Sequence, residues 1–456
     1  MAKAKSNSKK ITLEESLVPV EEQPYEVPEN WCWTKLGVVS KFERGITFPA
    51  SAKESEQTEE NIPCLRTANI QENLELGDLI YVNRSYMKHN DNKLVMKDDI
   101  IMSSANSREL VGKVSYVHNV LFPMTFGGFV LGIRAKEINS KYLFYHLRYE
   151  FLCGKFIGES TQTTNIANIN TTTLGNHFFP LPPLVEQKRI VKQIESLFAK
   201  LDEAKEKALS VVESFELRKK AIYKKAFEGD LTNIWRAENG INISEWEEIP
   251  FEKLGKLERG RSKHRPRNDK RLFGGKYPFI QTGDVAGAGM YVTSHKQTLS
   301  EFGFEQSRMF PKGTLCITIA ANIGDAAILS YDCCFPDSVV GFTPGEKCLN
   351  KYMYFYLQEI KAELEYIAPA TAQKNLNLKL LGKVEIKVPS LKEQEKIVEI
   401  LEKQINDQEN IVEKAENVIE TIDVMKKSIL AKAFRGELGT NIETEESAIE
   451  LLKSIF

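Results

Sequence analysis

Nothing in this 456-residue chain approaches the roughly 18 consecutive apolar residues of a membrane-spanning helix. The N-terminal stretch MAKAKSNSKKITLEESLVPVEEQ is basic and then acidic, without the apolar core of a secretory signal. A cytoplasmic protein with no membrane partner is therefore expected. Cysteine is sparse, and its seven copies (Cys32, Cys64, Cys153, Cys316, Cys333, Cys334 and Cys348) include no CxxC spacing. Buried free thiols in a reducing compartment are expected. Charge of either sign is not in excess: the formal net charge is −2, which argues against indiscriminate coating of nucleic acid. The six histidines (His89, His118, His146, His177, His264 and His295) show no metal-ligand spacing, so no metal site is expected.

Catalytic patterns are missing as well. An adenine methyltransferase needs Asn/Asp-Pro-Pro-aromatic, but the one Pro-Pro pair, Pro182-Pro183, sits in LPPL. GDVAGAGM (283–290) is glycine-rich yet matches neither a P-loop nor a dinucleotide fingerprint. Asp337, Glu346 and Lys347 fall at a spacing that suggests a nuclease, but adjacent Glu and Lys on a strand face opposite sides. No nucleophile elbow occurs. The chain is expected to carry no catalytic residues and no cofactor of its own.

What the sequence does have is an internal repeat. LPPLVEQKRIV (181–191) returns as VPSLKEQEKIV (388–398), and without a gap 20 of the 52 aligned pairs from Leu181 to Thr232 are identical. Each copy reads as a helix of about 40 residues, or roughly 60 Å. The first has a heptad seam of Ile190, Ile194, Leu197, Leu201, Ala204, Ala208, Val211, Phe215, Arg218 and Ile222. The second has Ile397, Leu401, Gln404, Gln408, Ile411, Ala415, Val418, Ile422, Met425 and Ile429. Gln404 and Gln408 either set the register or mark a wetter stretch of the seam. Proline before the helices and Gly229 and Gly436 after Phe227 and Phe434 supply start and stop signals. The phenylalanines read as core anchors.

Between the helices the chain is strand-like, with short apolar or β-branched runs broken by Gly, Asn and Asp. The two such regions are diverged copies: Trp33–Gly45 resembles Trp246–Gly260, IPCLRTANI (62–70) resembles YPFIQTGDV (277–285), and DDIIMSSAN (98–106) resembles GTLCITIAAN (313–322). The second contains RGRSKHRPRNDKRLFGGK (259–276), with eight Lys/Arg against one Asp. The corresponding loop of the first, ITFPASAKESEQTEEN, is acidic. A local basic segment on a neutral protein suits phosphate contact over a limited footprint, and a solvated loop is the alternative. Two similar helices carrying two dissimilar globules match a ligand with two half-sites at fixed spacing, of which duplex DNA is the commonest.

The PLxEQxxIV helix start, the AFxGxL end and the tandem layout resemble the specificity subunit of type I restriction-modification systems, over nearly the whole chain. That resemblance implies an α+β fold: two globular target-recognition domains joined by two long antiparallel coiled-coil helices in a pseudo-two-fold tandem repeat. The implied layout is an N-terminal arm (1–30), recognition domain 1 (31–180), helical spacer 1 (181–232), recognition domain 2 (233–388), helical spacer 2 (389–439) and a tail helix (440–456). It further implies a non-catalytic subunit whose globules each read half of a bipartite double-stranded DNA target. Two methyltransferase subunits would dock on it and restriction/translocase subunits would join. S-adenosylmethionine, ATP and Mg would belong to those partners. Candidate DNA contacts are Arg44, Arg66, Thr67, Asn69 and Asn106 in the first globule. In the second they are Arg259, Arg261, Lys263, His264, Arg265, Arg267, Gln281, Thr282 and Asn322, with Asp284 paired to Asn69. Arg66/Gln281, Thr67/Thr282 and Asn69/Asp284 are expected along a strand edge. Glu186, Gln187, Glu393 and Gln394 are the candidate partner-docking residues, with first-turn capping and interhelical packing as the other reading. A scaffold whose globules bind protein or carbohydrate is the competing function.

Overall fold

The structure, a computed structural model, describes residues 12–88, 90–159, 161–162, 167–368 and 376–456. The chain divides into two compact units, one holding the residues up to Lys207 together with Val418–Phe456, the other Ala208–Asn417. Among the described residues no helix is long and apolar enough to cross a membrane. The seven cysteines are free, and all but Cys153 are buried. Burial pushes the thiols of Cys32, Cys64, Cys333 and Cys348 up to about 12, so they are unreactive filler of the core.

The units share one strand plan. In the first, a sheet runs in the order Ser40–Arg44, Val130–Ala135, Ile100–Ser103, Val114–Tyr116, and a second in the order Ile80–Asn83, Asn61–Leu65, Thr125–Phe126. In the other, the corresponding orders are Gly255–Arg259, Val339–Pro344, Leu315–Thr318, Ala326–Leu329, and Gln297–Leu299, Phe273–Phe279, Cys333–Cys334. Each pairing keeps its sense, including the parallel one of Leu65 with Phe126 and of Phe279 with Cys334. The second unit adds the short strands Tyr291–Val292 and Met309–Phe310. Both units also have a two-stranded ribbon, Cys32–Lys35 with Phe178–Leu181 and Glu247–Pro250 with Glu385–Val388. Its register corrects the sequence alignment: Cys32 faces Leu181 as Glu247 faces Val388, so the counterpart of Trp246 is Trp31, not Trp33.

The second long helix, Leu391–Phe434, is unbroken over 44 residues. The first is interrupted, as Leu184–Glu213 and Phe215–Phe227. At the break, Ser214 turns its hydroxyl onto the Ser210 carbonyl (2.5 Å) and receives the Arg218 guanidinium, a local competition with the helical hydrogen-bond ladder. In the first unit Asp202 meets Lys426 (2.5 Å) and Lys205 meets Asp423 (3.5 Å), so the helix segments there run antiparallel. In the second unit Arg218 reaches Gln408 (2.7 Å), which places Gln408 in a cross-helix contact.

The first seam stands as read, every member buried or half-buried. The second stands at seven of its ten positions. Ile397, Leu401, Gln404, Gln408, Ala415, Ile422 and Ile429 are buried or half-buried, but Ile411, Val418 and Met425 are exposed. The other inward row is Val398, Ile405, Val412, Ile419, Lys426 and Ala433, displaced by one residue from the expected positions. Lys426 holds its place there with its ammonium over the Phe198 ring (5.2 Å) and bonded to Asp202.

The helix starts are fastened from within. Glu186, Gln187, Glu393 and Gln394 are all 0 % exposed, which overturns their expected role in partner docking and supports capping and packing. Glu186 accepts from Trp31 Nε1 (2.6 Å) and Asn441 Nδ2 (2.9 Å); Glu393 accepts from Trp246 Nε1 (3.0 Å), Thr232 Oγ1 (2.7 Å) and the Arg236 guanidinium (2.7 Å). Burial raises the Glu186 carboxyl above its ordinary value, hydrogen bonds from Trp31 and Asn441 only partly opposing it. Gln187 accepts from the Asn139 amide (2.8 Å) and donates to the Pro182 carbonyl (2.8 Å); Gln394 repeats this with the Leu349 amide (2.9 Å) and the Pro389 carbonyl (2.9 Å). Each glutamine thus satisfies the carbonyl at its own helix entry and the amide of the residue that precedes a neighbouring helix, Ser140–Leu152 or Asn350–Ile367. Gln394→Leu is expected to strand both and cost about 2–3 kcal/mol in urea unfolding; a loss below about 0.5 kcal/mol would contradict this assignment.

At the far ends, Gly229 and Gly436 take the left-handed conformation (φ +87° and +74°) that ends a helix. The preceding phenylalanines are core anchors, as read. Phe434 packs in the first unit against Tyr142, His146 and Tyr149, at ring distances of 5.5, 5.0 and 5.6 Å. Phe227 packs in the second against Tyr352 and Tyr356, at 5.5 and 4.9 Å. Each unit is therefore built from the start of one long helix and the end of the other.

Candidate nucleic-acid interface

In both units a cavity opens where the chain leaves the first strand of the larger sheet. The turn needs a glycine: a Cβ on Gly45 would lie 2.0 Å from the Gly127 carbonyl oxygen, and one on Gly260 2.2 Å from that of Pro336. Beyond these glycines the Ile46 amide donates to the Phe126 carbonyl (2.8 Å) and the Arg261 amide to that of Phe335 (3.1 Å). The first unit's cavity, about 490 Å³, is lined by Phe48, Lys53, Arg66, Thr67 and Phe129 among others. The second unit's, about 130 Å³, includes Arg261, Arg267, Phe273, Gln281 and Gln306. The pairing of Arg66 with Gln281 thus survives folding as two equivalent wall positions.

The strand-edge expectation for these pairs does not. Arg66 and Gln281 follow their strands and open short helical turns, Thr67–Asn69 and Thr282–Ala286. Asn69 is buried; its side chain accepts from the Arg66 amide (2.7 Å) and donates to the Glu75 and Asp78 carbonyls (2.9 Å each). Asp284 accepts from the Gln281 amide (2.8 Å). Asn69 is a cap shaping the turn, which removes it from the DNA-contact set. Arg66 also pairs with Asp78 (2.7 Å), and its Nε, like that of Arg261, is buried without a hydrogen-bond partner. Gln281 Nε2 donates to Gln297 (2.7 Å) at an exposed position.

The loop after Gly260 is irregular, as its Gly and Pro foretold, but less bare in charge than its sequence. Arg267 makes two 2.9 Å bonds to Asp337, and Arg259 donates to the Asp337 carbonyl. Asp269 takes Arg271 (2.7 Å) and His264 (2.8 Å), and the Arg271 bond first, then His264, holds its carboxyl well below the usual range. Arg265 donates to the Ser262 and His264 carbonyls, and Arg261 to that of Glu305 (3.2 Å). Lys263, Arg265 and Lys270 are exposed with no ion pair among the described residues, leaving three free cations on one loop. The remaining candidates lie apart from the cavities. Arg44 ends its strand at the surface, Asn106 donates to Ser103 Oγ (3.1 Å), Thr282 is half-buried behind Gln281, and Asn322 sits in an exposed turn. The aromatic wall residues Phe48, Phe129 and Phe273 went unnoticed in the sequence; alignment of Gly45 with Gly260 could have pointed to Phe48.

Folding also brings two of the histidines together. His146, Glu150 and His177 converge in the first unit, with their donor atoms all within 4.8 Å of one another. His146 and Glu150 stand four residues apart on one helix face, a legible half of the cluster. His177 enters from the approach to the ribbon strand, which spacing alone does not reveal. Burial pushes the His146 imidazole down to about 4, so it is neutral near pH 7.

A family model described as the type I restriction modification DNA specificity domain matches residues 28–214 and 243–421. The EcoKI specificity subunit of Escherichia coli K12 is 25% identical over 451 residues, covering 94% of this chain and 95% of that protein. A putative type I restriction enzyme specificity subunit, MjaX, from Methanocaldococcus jannaschii is 27% identical over 424 residues, 91% and 95% of the two chains. The crystal structure of the HsdS subunit from Thermoanaerobacter tengcongensis matches in fold with a TM-score of 0.63 at 19% identity, over 91% of this chain and all of that one. With two copies of the family's domain on one strand plan, this chain belongs to the type I restriction-modification DNA specificity subunits.

Proposed function

We propose that each unit reads one half of a bipartite duplex target through the rim of its cavity, and that the two long helices, as an antiparallel coiled coil, set the gap between the halves. The observation that carries this is the pair of equivalent cavities with non-equivalent walls: the same backbone site presents Arg66, Thr67 and Phe129 in one unit and Gln281, Arg261 and Arg267 in the other. Arginine suits guanine and glutamine suits adenine edges in the major groove. Lys263, Arg265 and Lys270 supply phosphate contacts. The chain acts in the cytoplasm without chemistry of its own. S-adenosylmethionine, ATP and Mg belong to methyltransferase and restriction/translocase partners. A protein- or carbohydrate-binding scaffold is disfavoured by the family membership.

Changing Lys263, Arg265 and Lys270 together to serine is expected to weaken duplex binding by about 10- to 100-fold at low salt. The slope of log K against log salt should flatten by up to about 2.7. Gln281→Ala, by contrast, is expected to alter one half only of the methylated-adenine motif mapped in the host genome. Methylation marks that persist after deletion of the gene would sink the reading.

With the four repeated helix-start residues buried, methyltransferase docking moves to what the repeat leaves outside. Leu217 and Val424 are the same position of the repeat, 73 % and 68 % exposed. They offer one apolar contact twice to two identical subunits. Leu217→Asp is expected to leave the chain folded and to reduce co-purifying methyltransferase from two copies per chain to one; unchanged stoichiometry would remove these residues from the interface.

A further inference from the structure

We propose that His146, Glu150 and His177 form a binding site for a divalent transition-metal ion, zinc being the one their donors suit best, which pins the helix Ser140–Leu152 to the strand Phe178–Leu181. The second unit shows that the fold does not require these residues. The Tyr142 hydroxyl donates to the Pro180 carbonyl (2.9 Å) as that of Tyr352 does to Lys387 (2.5 Å). The Leu36 amide donates to the His177 carbonyl as that of Phe251 does to Val384 (2.9 Å each). These matches make Tyr356, Ile360 and Val384 the counterparts of His146, Glu150 and His177. The same junction is filled there by one aromatic and two aliphatic side chains, with the Tyr356 hydroxyl accepting from the Lys387 amide (3.2 Å). Burying three ionisable groups where apolar ones serve costs desolvation, so their presence asks for a ligand.

An ion pair answers for only two of them. His177 Nε2 stands 3.3 Å from Glu150 Oε2, already the donor separation, about 3.3 Å, of a tetrahedral shell with bonds near 2.05 Å. His146 is 1 % exposed, wedged edge-on against Phe179 and Phe434 at 4.9 and 5.0 Å. The Phe178 backbone interacts with its ring, but neither ring nitrogen meets hydrogen-bond geometry with any partner. A buried imidazole whose ring nitrogens lack a well-formed hydrogen bond, beside a carboxylate and a second imidazole, is the donor set of zinc with one position left for water. Calcium and magnesium, which favour oxygen ligands, are disfavoured.

The full chain, purified without a histidine tag and stripped by chelator, would be titrated with zinc by calorimetry and with cobalt by visible absorption. One ion per chain, cobalt bands of a four-coordinate site and a zinc-dependent rise of several degrees in the unfolding midpoint are expected. The triple variant His146→Tyr, Glu150→Ile, His177→Val, which copies the second unit, should fold and bind neither ion, whereas His264→Asn should bind like the parent. Should the triple variant fail to fold, His146→Phe decides by the same stoichiometry, zero being expected. A folded parent chain that takes up no zinc or cobalt, or a folded His146→Phe chain that still takes up one, overturns the proposal.

Discussion

Replacing Arg236 with alanine is expected to destabilise the second unit by about 3–5 kcal/mol, because it strands a buried carboxylate. Glu393 is 0 % and Arg236 7 % exposed, and the 2.7 Å bond between them is the cationic part of a knot that also includes Thr232 and Trp246. The Arg236 guanidinium further donates to the Gly229 carbonyl (2.7 Å) and lies 5.7 Å from the Trp246 ring. One side chain thus ties the end of the first long helix to the start of the second. In calorimetry the midpoint of that unit should fall by on the order of 10 °C. Hydrogen exchange should accelerate around residues 391–401. A double change, Arg236→Met with Glu393→Leu, should recover most of the loss, since the penalty lies in the unpaired charge. A loss under about 1 kcal/mol for Arg236→Ala would mean that Glu393 is held by its neutral donors alone, as Glu186 is in the first unit.

Phe434→Ala is expected to cost a similar amount, about 3–5 kcal/mol, and its location tells more than its size. Phe434 closes the second helical repeat in sequence, yet its ring fills the core of the first unit beside Tyr142 and His146. Exchange protection should therefore drop in Ser140–Leu152 and stay in Asn350–Ile367. Phe227→Ala should do the reverse, because Phe227 belongs to the core with Tyr352 and Tyr356. Protection lost beside the mutated residue's own upstream globule would contradict the arrangement.

These two cases also mark how far sequence reasoning reaches. Phe227 and Phe434 were legible as anchors because they end a periodic helix before glycine. What they anchor was not, since periodicity says which face is buried and nothing about the neighbour. Three positions of the second helical seam failed for a related reason. Ile411, Val418 and Met425 are apolar and sit outside, while the charged Lys426 sits inside with its ammonium bonded to Asp202. At those three positions composition pointed to the wrong row by one residue. Repetition of Glu186-Gln187 at Glu393-Gln394 reflected a buried entry joint, which duplication preserves as faithfully as a docking surface. In the candidate interface, the equivalence of Arg66 with Gln281 was visible from local alignment. The capping role of Asn69 and the Asp337 and Asp269 partners of the basic loop depend on residues brought in from other parts of the chain.

The two units are unequal in one further respect. The second is a single continuous stretch, Ala208–Asn417, whereas the first combines residues up to Lys207 with Val418–Phe456. During synthesis the second can complete its core while the first still lacks Leu430, Phe434 and Leu452, all fully buried there. At about 5–20 residues per second, the globule that emerges first waits roughly 10–50 seconds for its last pieces, and the one that emerges second is finished before it.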